Sequence, residues 1–249
     1  MLDRAAFLRP IAHRGLHAAA RGIIENTAPA FDAALLKGYG IECDLRPAQG
    51  GLPIVFHDET LKRLVEGNGP VSTLAPQDLK RLRYKQCDTP ILTFGEMLDL
   101  VDGAVPLLAE IKSEWAPPDM TFLKRIAKLA NTYPGPLALM SFDPDVMTAL
   151  RALAPRIPRG IVSGSFSGAG WWHRKVSKQR AARLRDLLES ADATPDFYAY
   201  QLSALPTPVT EYVRNVQGLP LFTWTVRTPK DRAHAAKYAD AMIFEGFEP

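Results

Sequence analysis

The stretch that decides the fold runs from Ile11 to Asp58. It opens as Ile11-Ala12-His13-Arg14-Gly15, passes Glu25-Asn26-Thr27, reaches Gly40-Ile41-Glu42-Cys43-Asp44-Leu45 and closes on Pro53-Ile54-Val55-Phe56-His57-Asp58. Short apolar runs bounded by Gly and Pro read as buried strands. Between the first two lies a helical segment over 28–37, with Asn26-Thr27 ahead of it and Gly38 as its stop. Strand, helix, strand is the crossover unit of a parallel sheet.

Outward from this unit the alternation repeats. Strand-like runs fall at 11–13, 40–45, 107–112, 137–142, 159–163, 197–201, 219–226 and 240–245. Thr93-Phe94-Gly95-Glu96 has the spacing of a capping box. Asp143-Pro144, Thr207-Pro208 and Thr228-Pro229 each place a cap before a proline at the first helical position. Further helices are expected over 118–131 and 177–190. The pattern argues for an α/β fold with a parallel sheet, and eight such runs argue for closure into a (β/α)8 barrel.

One run is out of step. Residues 53–56 follow the second strand after Gln49-Gly50-Gly51, a turn too short for a crossover helix. They read as the return arm of an antiparallel hairpin inserted after the second barrel strand. The insertion, about 46–90, is expected to carry His57 over the barrel mouth. The whole of 1–249 reads as a single domain whose last outer helix is short or missing, with residues 1–10 expected to cover the gap.

Composition bounds the function. A chain of 249 residues that is 47% hydrophobic and 23% charged is globular rather than disordered. No apolar run approaches the roughly 20 residues a bilayer crossing needs, so no stable membrane insertion is expected. Residues 1–10 carry Asp3, Arg4 and Arg9 instead of an apolar signal region, and a cytoplasmic location is expected. A formal charge of +3 is too small to imply nucleic acid, and the denser basic run at 174–185 reads as a solvated helix face. Cys43, between Glu42 and Asp44, faces the other side of its strand. Cys87 lies in a polar stretch, and neither disulfide nor thiolate metal site is expected.

Residues two apart on a strand share a face. Glu42 and Asp44 therefore point together, as do Glu110 and Lys112, near the C-terminal strand ends where barrel active sites form. Three inward carboxylates cannot all stay ionised in a closed site without a counter-charge. A hard divalent cation meets that need, and all-oxygen ligation points to Mg2+ or Ca2+. The competing reading pairs Glu42 with Lys112 as a structural ion pair. Three acids beside two histidines favour the metal.

Cleaving a phosphodiester needs a base for the attacking oxygen and an acid for the leaving alkoxide. His13 and His57 can serve, because an unperturbed imidazole titrates near about 6.5. Arg14, followed by permissive Gly15, suits a phosphate oxygen, and Lys112 offers a second positive charge. Glu25 and Asn26 either cap the first helix or reach the substrate. His17, His173 and His234 have no partnering motif and are expected at the surface. Trp171-Trp172-His173 reads either as a lid that could touch lipid or as a loop packing its own aromatics.

His13-Arg14-Gly15, Glu25-Asn26-Thr27, Glu42-x-Asp44, His57-Asp58 and Glu110-x-Lys112 together resemble the ordered motifs of the glycerophosphodiester phosphodiesterase family. The resemblance covers nearly the whole chain. It implies a TIM barrel, one divalent cation held by Glu42, Asp44 and Glu110, acid/base histidines at His13 and His57, and phosphate contacts from Arg14 and Lys112. Trp224 matches the family's Trp-Thr on the seventh strand and is expected to wall the substrate cleft. The implied activity is hydrolysis of a small-molecule glycerophosphodiester to an alcohol and sn-glycerol 3-phosphate.

Departures from the family pattern are Ile24 in place of a proline, Ala48 and Gly50-Gly51 in the hairpin turn, and Phe244-Glu245 in place of a closing Thr-Asp. The last keeps a carboxylate and adds bulk at the substrate end. Two other outcomes suit the same barrel. One is a phospholipase D-like lyase that stops at a cyclic phosphate, similar to the sphingomyelinase D relatives, which are typically secreted and disulfide-bonded. The other is a non-catalytic phosphate- or lipid-binding barrel, which predicts the loss of a histidine or a metal ligand.

Overall fold

The computed structural model describes residues 1–168 and 170–249. Among these, nine strands form one sheet in the order β1-β9-β8-β7-β6-β5-β4-β2-β3, and a β1–β2 pairing closes eight of them into a ring. The ring strands are β1 (Ile11–Ala12), β2 (Gly40–Ala48), β4 (Leu107–Ile111), β5 (Leu137–Ser141), β6 (Arg159–Ser163), β7 (Phe197–Gln201), β8 (Leu221–Val226) and β9 (Ala241–Phe244). Each runs parallel to its neighbours. β3 (Leu52–Val55) alone is antiparallel, with Leu45 opposite Val55 and Ala48 opposite Leu52. The architecture is a TIM barrel with a hairpin after its second strand.

The helices are α1 (Arg4–Phe7), α2 (Ala28–Lys37), α3 (Pro76–Leu79), α4 (Phe94–Val101), α5 (Met120–Thr132), α6 (Pro144–Leu153), α7 (Lys178–Arg185), α8 (Pro208–Asn215) and α9 (Pro229–Tyr238). Their starts follow local chemistry. Thr93 Oγ1 accepts from Glu96 N at 3.2 Å while Glu96 Oε2 accepts from Thr93 N at 2.8 Å, an exchange that satisfies two otherwise orphaned amides. Asp143 Oδ1 accepts from Asp145 N at 3.2 Å, and Thr228 Oγ1 accepts from Asp231 N at 3.1 Å. α7 is shorter than the helix expected over 177–190, because Leu187 adopts a left-handed φ of 56°. α5 begins at Met120, two residues after Pro118, where Asp119 supplies the cap.

Strand alternation sorts side chains into two cores. Ile41, Cys43, Leu45, Leu107, Ala109 and Ile111 point outward, against Phe31, Phe94, Met97 and Ile126 of the helices. Leu108, Ala138, Met140, Val162, Phe197, Ala199, Phe222 and Ile243 point inward and fill the barrel. Residues 1–10 were expected to cover the flank after β9, but only Leu8, Arg9 and Pro10 lie beside α9 and β9. Leu2 and Phe7 join that inner cluster instead, because the wide N-terminal mouth of the ring would otherwise leave apolar side chains wet. The flank is taken by 245–249: Phe247 packs edge-on to Phe244, and Glu248 pairs with Lys37 at 2.9 Å.

The segment between β3 and α4 has a small core of its own, formed by Phe56, Leu61, Val65, Val71, Leu79, Tyr84 and Ile91. Ile24, where the family pattern has proline, is buried in this cluster and ties the loop before α2 to the insertion. Among the described residues, no helix is long and apolar enough to cross a membrane.

Candidate active site

The parallel register of β2 and β4 sets Asp44 beside Glu110 and Glu42 beside Leu108. Glu42, Asp44 and Glu110 are all buried, and one oxygen from each lies within 4.8 Å of the others. Burial, then the charges of Asp44 and Glu110, push the Glu42 carboxyl well above the ordinary carboxylate range. Asp44 moves the other way. Burial opposes its ionisation, but Lys112 and Arg14 hold it well below its usual value.

Lys112 Nζ sits 2.7 Å from Asp44 Oδ1 and also donates to Glu110 Oε1. The lysine therefore pairs with Asp44 and Glu110, and a Glu42–Lys112 ion pair is not what forms. Glu42 Oε2 accepts from the Arg14 amide at 2.9 Å, while its buried Oε1 has no hydrogen-bond partner among the described residues. An orphaned carboxylate oxygen among crowded acids is the donor set that a hard divalent cation relieves. The cluster fits such an ion.

His13 continues β1, its amide donating to Phe244 O at 2.9 Å. Its Nδ1 lies 2.5 Å from Glu245 Oε2, and its Nε2 lies 3.9 Å from Glu42 Oε2. Burial pulls the His13 imidazole below its ordinary pKa, with Glu245 opposing and Arg14 reinforcing the shift. Glu245 is anchored through its other oxygen by Arg227 Nε at 2.7 Å. Burial opposes its ionisation, but the hydrogen bond from His13, with His17 and Arg227 close by, holds its carboxyl well below the usual range.

His57 follows the hairpin and is brought to the same cavity by two contacts. Phe56 N donates to Asp44 O at 2.9 Å, and Arg46 Nε donates to His57 O at 2.6 Å. Its Nδ1 lies 2.7 Å from Asp58 Oδ1. A relay of ion pairs stands behind Asp58. Arg63 holds Asp58 at 2.6 and 3.0 Å, then grips Glu25 at 2.8 and 2.7 Å. Glu25 accepts from Arg14 Nη1 at 2.7 Å, and Arg14 Nε lies 3.1 Å from Asp44 Oδ2.

Asn26 donates to Asp44 Oδ2 at 2.8 Å. Glu25 and Asn26 thus brace the site from behind, and the cap of α2 is Thr27. Arg14 has a left-handed φ of 55°, followed by Gly15 at 79°. A Cβ on Gly15 would meet the Ala30 backbone at 2.8 Å, so only glycine lets the turn pass under α2.

His13, Arg14, Glu42, His57, Glu110, Lys112 and Trp224 all line one cavity of about 480 Å3. Trp224 Nε1 donates to Ala199 O at 3.2 Å, and its ring meets Phe142 edge-on at 5.4 Å. Across the mouth, Lys175 donates to Glu59 Oε1 and, at 2.6 Å, to Glu114 Oε2, which Arg46 shares through Oε1 at 2.8 Å. Trp172 is buried with Val176, Ala181 and Leu184, the self-packing option for that loop. The side chain of Trp171 lies outside the described residues.

His173 is exposed and stacked on Trp172. His17 is not at the surface. It is 21% exposed and reaches within 3.6 Å of Glu245 Oε2. His234 is half-buried, with Nε2 at 2.9 Å from Leu205 O. Sequence reading assigned no role to Asp58, Arg63 or Glu245. For Asp58 the adjacent histidine was a usable signal. For Glu245, 232 residues from His13 along the chain, the register of the closing strand was the signal.

Residues 13–246 match the profile of the glycerophosphoryl diester phosphodiesterase family. The chain is 38% identical over 244 residues to a glycerophosphodiester phosphodiesterase of Caldanaerobacter subterraneus subsp. tengcongensis, covering 91% of this chain and 89% of that one. It is 30% identical over 171 residues to a probable glycerophosphodiester phosphodiesterase 1 of Mycobacterium tuberculosis, a match spanning 59% of this chain and 61% of the relative's length.

Among solved structures, a putative glycerophosphoryl diester phosphodiesterase from Silicibacter pomeroyi DSS-3 superposes with a TM-score of 0.73 at 23% identity, covering 95% of this chain and 89% of its own. An Oleispira antarctica phosphodiesterase solved with the product sn-glycerol-3-phosphate superposes at 0.72 and 20% identity, covering 95% and 92%. At these identities the likeness to the solved structures is one of fold.

Proposed function

Because the chain belongs to the glycerophosphoryl diester phosphodiesterase family, we propose that it hydrolyses small glycerophosphodiesters to an alcohol and sn-glycerol 3-phosphate, in lipid and glycerol metabolism in the cytoplasm. The observation that carries this reading is the meeting of two carboxylate-backed imidazoles, Glu42, Glu110 and Lys112 around one cavity, with Asp44 buried in the same acidic cluster. The product named for the Oleispira antarctica neighbour supports the substrate class.

Glu42, Asp44 and Glu110 hold one divalent cation, Mg2+ or Ca2+. When bound, the ion supplies Lewis-acid stabilisation of charge on the phosphoryl group. The chain's own residues supply the rest. Each imidazole commits Nδ1 to a carboxylate, His13 to Glu245 and His57 to Asp58, which leaves Nε2 to exchange protons. One takes the proton of the attacking hydroxyl, and the other gives one to the leaving alkoxide. Lys112 and Arg14 contact phosphate oxygens, and Trp224 walls the cleft. In this reading 1–249 act as one domain, with the 46–90 insertion delivering His57 and Asp58 to the mouth.

The test is a panel of glycerophosphodiesters incubated with chelator-stripped protein, then with Mg2+, Ca2+ or Mn2+, with products read by phosphorus NMR. Cation-dependent release of sn-glycerol 3-phosphate is expected, and His57→Ala is expected to abolish it with folding retained. Absence of turnover with every cation would overturn the proposal. A persistent cyclic phosphate would make the protein a lyase instead.

A further inference from the structure

We propose a second cation site, built by His13, His17 and Glu245, that takes zinc-class transition ions and shuts the enzyme off. A donor atom from each of the three residues lies within 4.8 Å of the others, apart from the carboxylate triad. The His13 ring stands between the two clusters. Its Nε2 faces Glu42 at 3.9 Å, and its Nδ1 faces Glu245 at 2.5 Å.

The donor that points to a missing ligand is His17 Nε2. It is a buried nitrogen with no hydrogen-bond partner among the described residues, 3.6 Å from Glu245 Oε2. Arg227 engages Glu245 through Oε1 at 2.7 Å, which fixes the carboxylate with Oε2 turned to both imidazoles. Tetrahedral bonds of about 2.0–2.1 Å set ligands roughly 3.3 Å apart. The His17–Glu245 separation is already close to that edge. The His13–Glu245 contact must open by less than about 1 Å, a small rotation of one side chain.

Donor chemistry decides which ions enter. Two imidazole nitrogens and one carboxylate oxygen select Zn2+, Co2+, Ni2+ or Cu2+ over Mg2+ and Ca2+, which prefer all-oxygen cages. The two clusters therefore sort cations by softness. An ion at the second site replaces the proton on His13 Nδ1, and that proton is released to solvent. His13 then loses its hydrogen bond to Glu245 and is pinned by the metal. Binding itself asks nothing of the reaction. Only the loss of turnover rests on the hydrolytic role proposed for His13, and the two are read separately.

The full chain is titrated with Co2+ in excess Mg2+ while the visible d–d absorption of tetrahedral cobalt is followed. One equivalent is expected to bind with that signature. The signature should persist in Glu110→Gln and vanish in His17→Ala and His17→Gln, with folding of each variant checked by circular dichroism. No signature in the wild type, or one that survives in a folded His17 variant, would overturn the site. So would a signature lost in Glu110→Gln and kept without His17, since the ion would then belong to the carboxylates.

Zn2+ is expected to inhibit the wild type in excess Mg2+. The His17 variants should need more Zn2+ by at least the about 10–100-fold that loss of a supporting partner costs. Equal sensitivity would break the link to turnover. A wild type inactive before any Zn2+ is added would fail the hydrolase reading and leave the cobalt result standing.

Discussion

Replacing Glu42 with Gln removes one negative charge from the carboxylate cluster and nearly preserves its shape. In protein stripped of divalent ions that charge is a burden. Glu42 is 1% exposed, its Oε1 meets no donor among the described residues, and its carboxyl is pushed up by burial, Asp44 and Glu110. A like-charged pair 4.8 Å apart, the outer limit within the cluster, costs about 3.5 kcal/mol at an effective dielectric of about 20. The two pairs that Glu42 makes then cost about 7 kcal/mol. Lys112 and Arg14 cancel most of this. The neutral amide also forfeits about 1–2 kcal/mol of the charge-assisted bond from the Arg14 amide.

The balance leaves Glu42→Gln more stable by about 2 kcal/mol, or about 4–8 °C in Tm for a chain of this size. The pH dependence has a definite sign. A carboxyl raised by folding contributes stability below its ordinary pKa of about 4.3 and loses it as pH rises through the raised value. The advantage of the variant therefore grows from acid to neutral pH. Saturating Mg2+ or Ca2+ should reverse the order, since the wild type gains about 2.7 kcal/mol at a hundredfold excess over Kd and the variant little. Thermal melts of both proteins, in chelator and in excess cation, measure all of this. A Glu42→Gln protein that melts below the wild type in chelator refutes the reasoning.

Glu245→Gln should lower kcat about 5–30-fold with KM nearly unchanged, because it exchanges a charge-assisted bond to His13 for a neutral one weaker by about 1–2 kcal/mol. An unchanged kcat in steady-state assays would deny Glu245 its orienting role. Phe7→Ala should destabilise the fold by about 3–5 kcal/mol in urea, since Phe7 is 1% exposed in the barrel interior. A loss below about 1 kcal/mol would mean α1 is not a plug. Arg63→Ala should flatten the acid limb of the stability profile. Burial opposes ionisation of Glu25 and Asp58, yet hydrogen bonds from Arg63 to Glu25 and from His57 and Arg63 to Asp58 hold both carboxyls down. Depressed carboxyls contribute stability above their ordinary pKa of about 4 and lose it as pH falls. Identical acid limbs for variant and wild type, measured by urea unfolding across pH, would leave those pairs without weight.

The parts of the molecule legible in the sequence were those written in local chemistry. Thr93 and Glu96 announce a helix start because the capping exchange needs only that spacing. Glu42 and Asp44 share a face because a strand alternates. Gly50-Gly51 marks a turn because both adopt left-handed φ. Long-range pairings were less accessible. Nothing near Phe7 says that it will enter the barrel, since its partners Phe197 and Phe222 lie on β7 and β8. His17 looked solitary because its neighbour Glu245 arrives with the last strand. Lys112 was placed correctly on the inner face, yet its choice of Asp44 and Glu110 over Glu42 depended on the spacing of β2 and β4 in three dimensions.

On the proposed mechanism, the pairing of His13 with Glu245 makes the barrel's seam part of the chemistry. Ile11 lies against Ile243 in the β1–β9 ladder, and the imidazole and carboxylate that follow on those strands clasp across the join. Such a distant meeting bears a large loop-closure entropy and depends on the ring being shut. A molecule folded everywhere except at this junction would keep its three acids and lack an aimed His13. Turnover would then count only the copies whose first and last staves have met, so an activity measurement doubles as a gauge of closure that bulk helical content cannot provide.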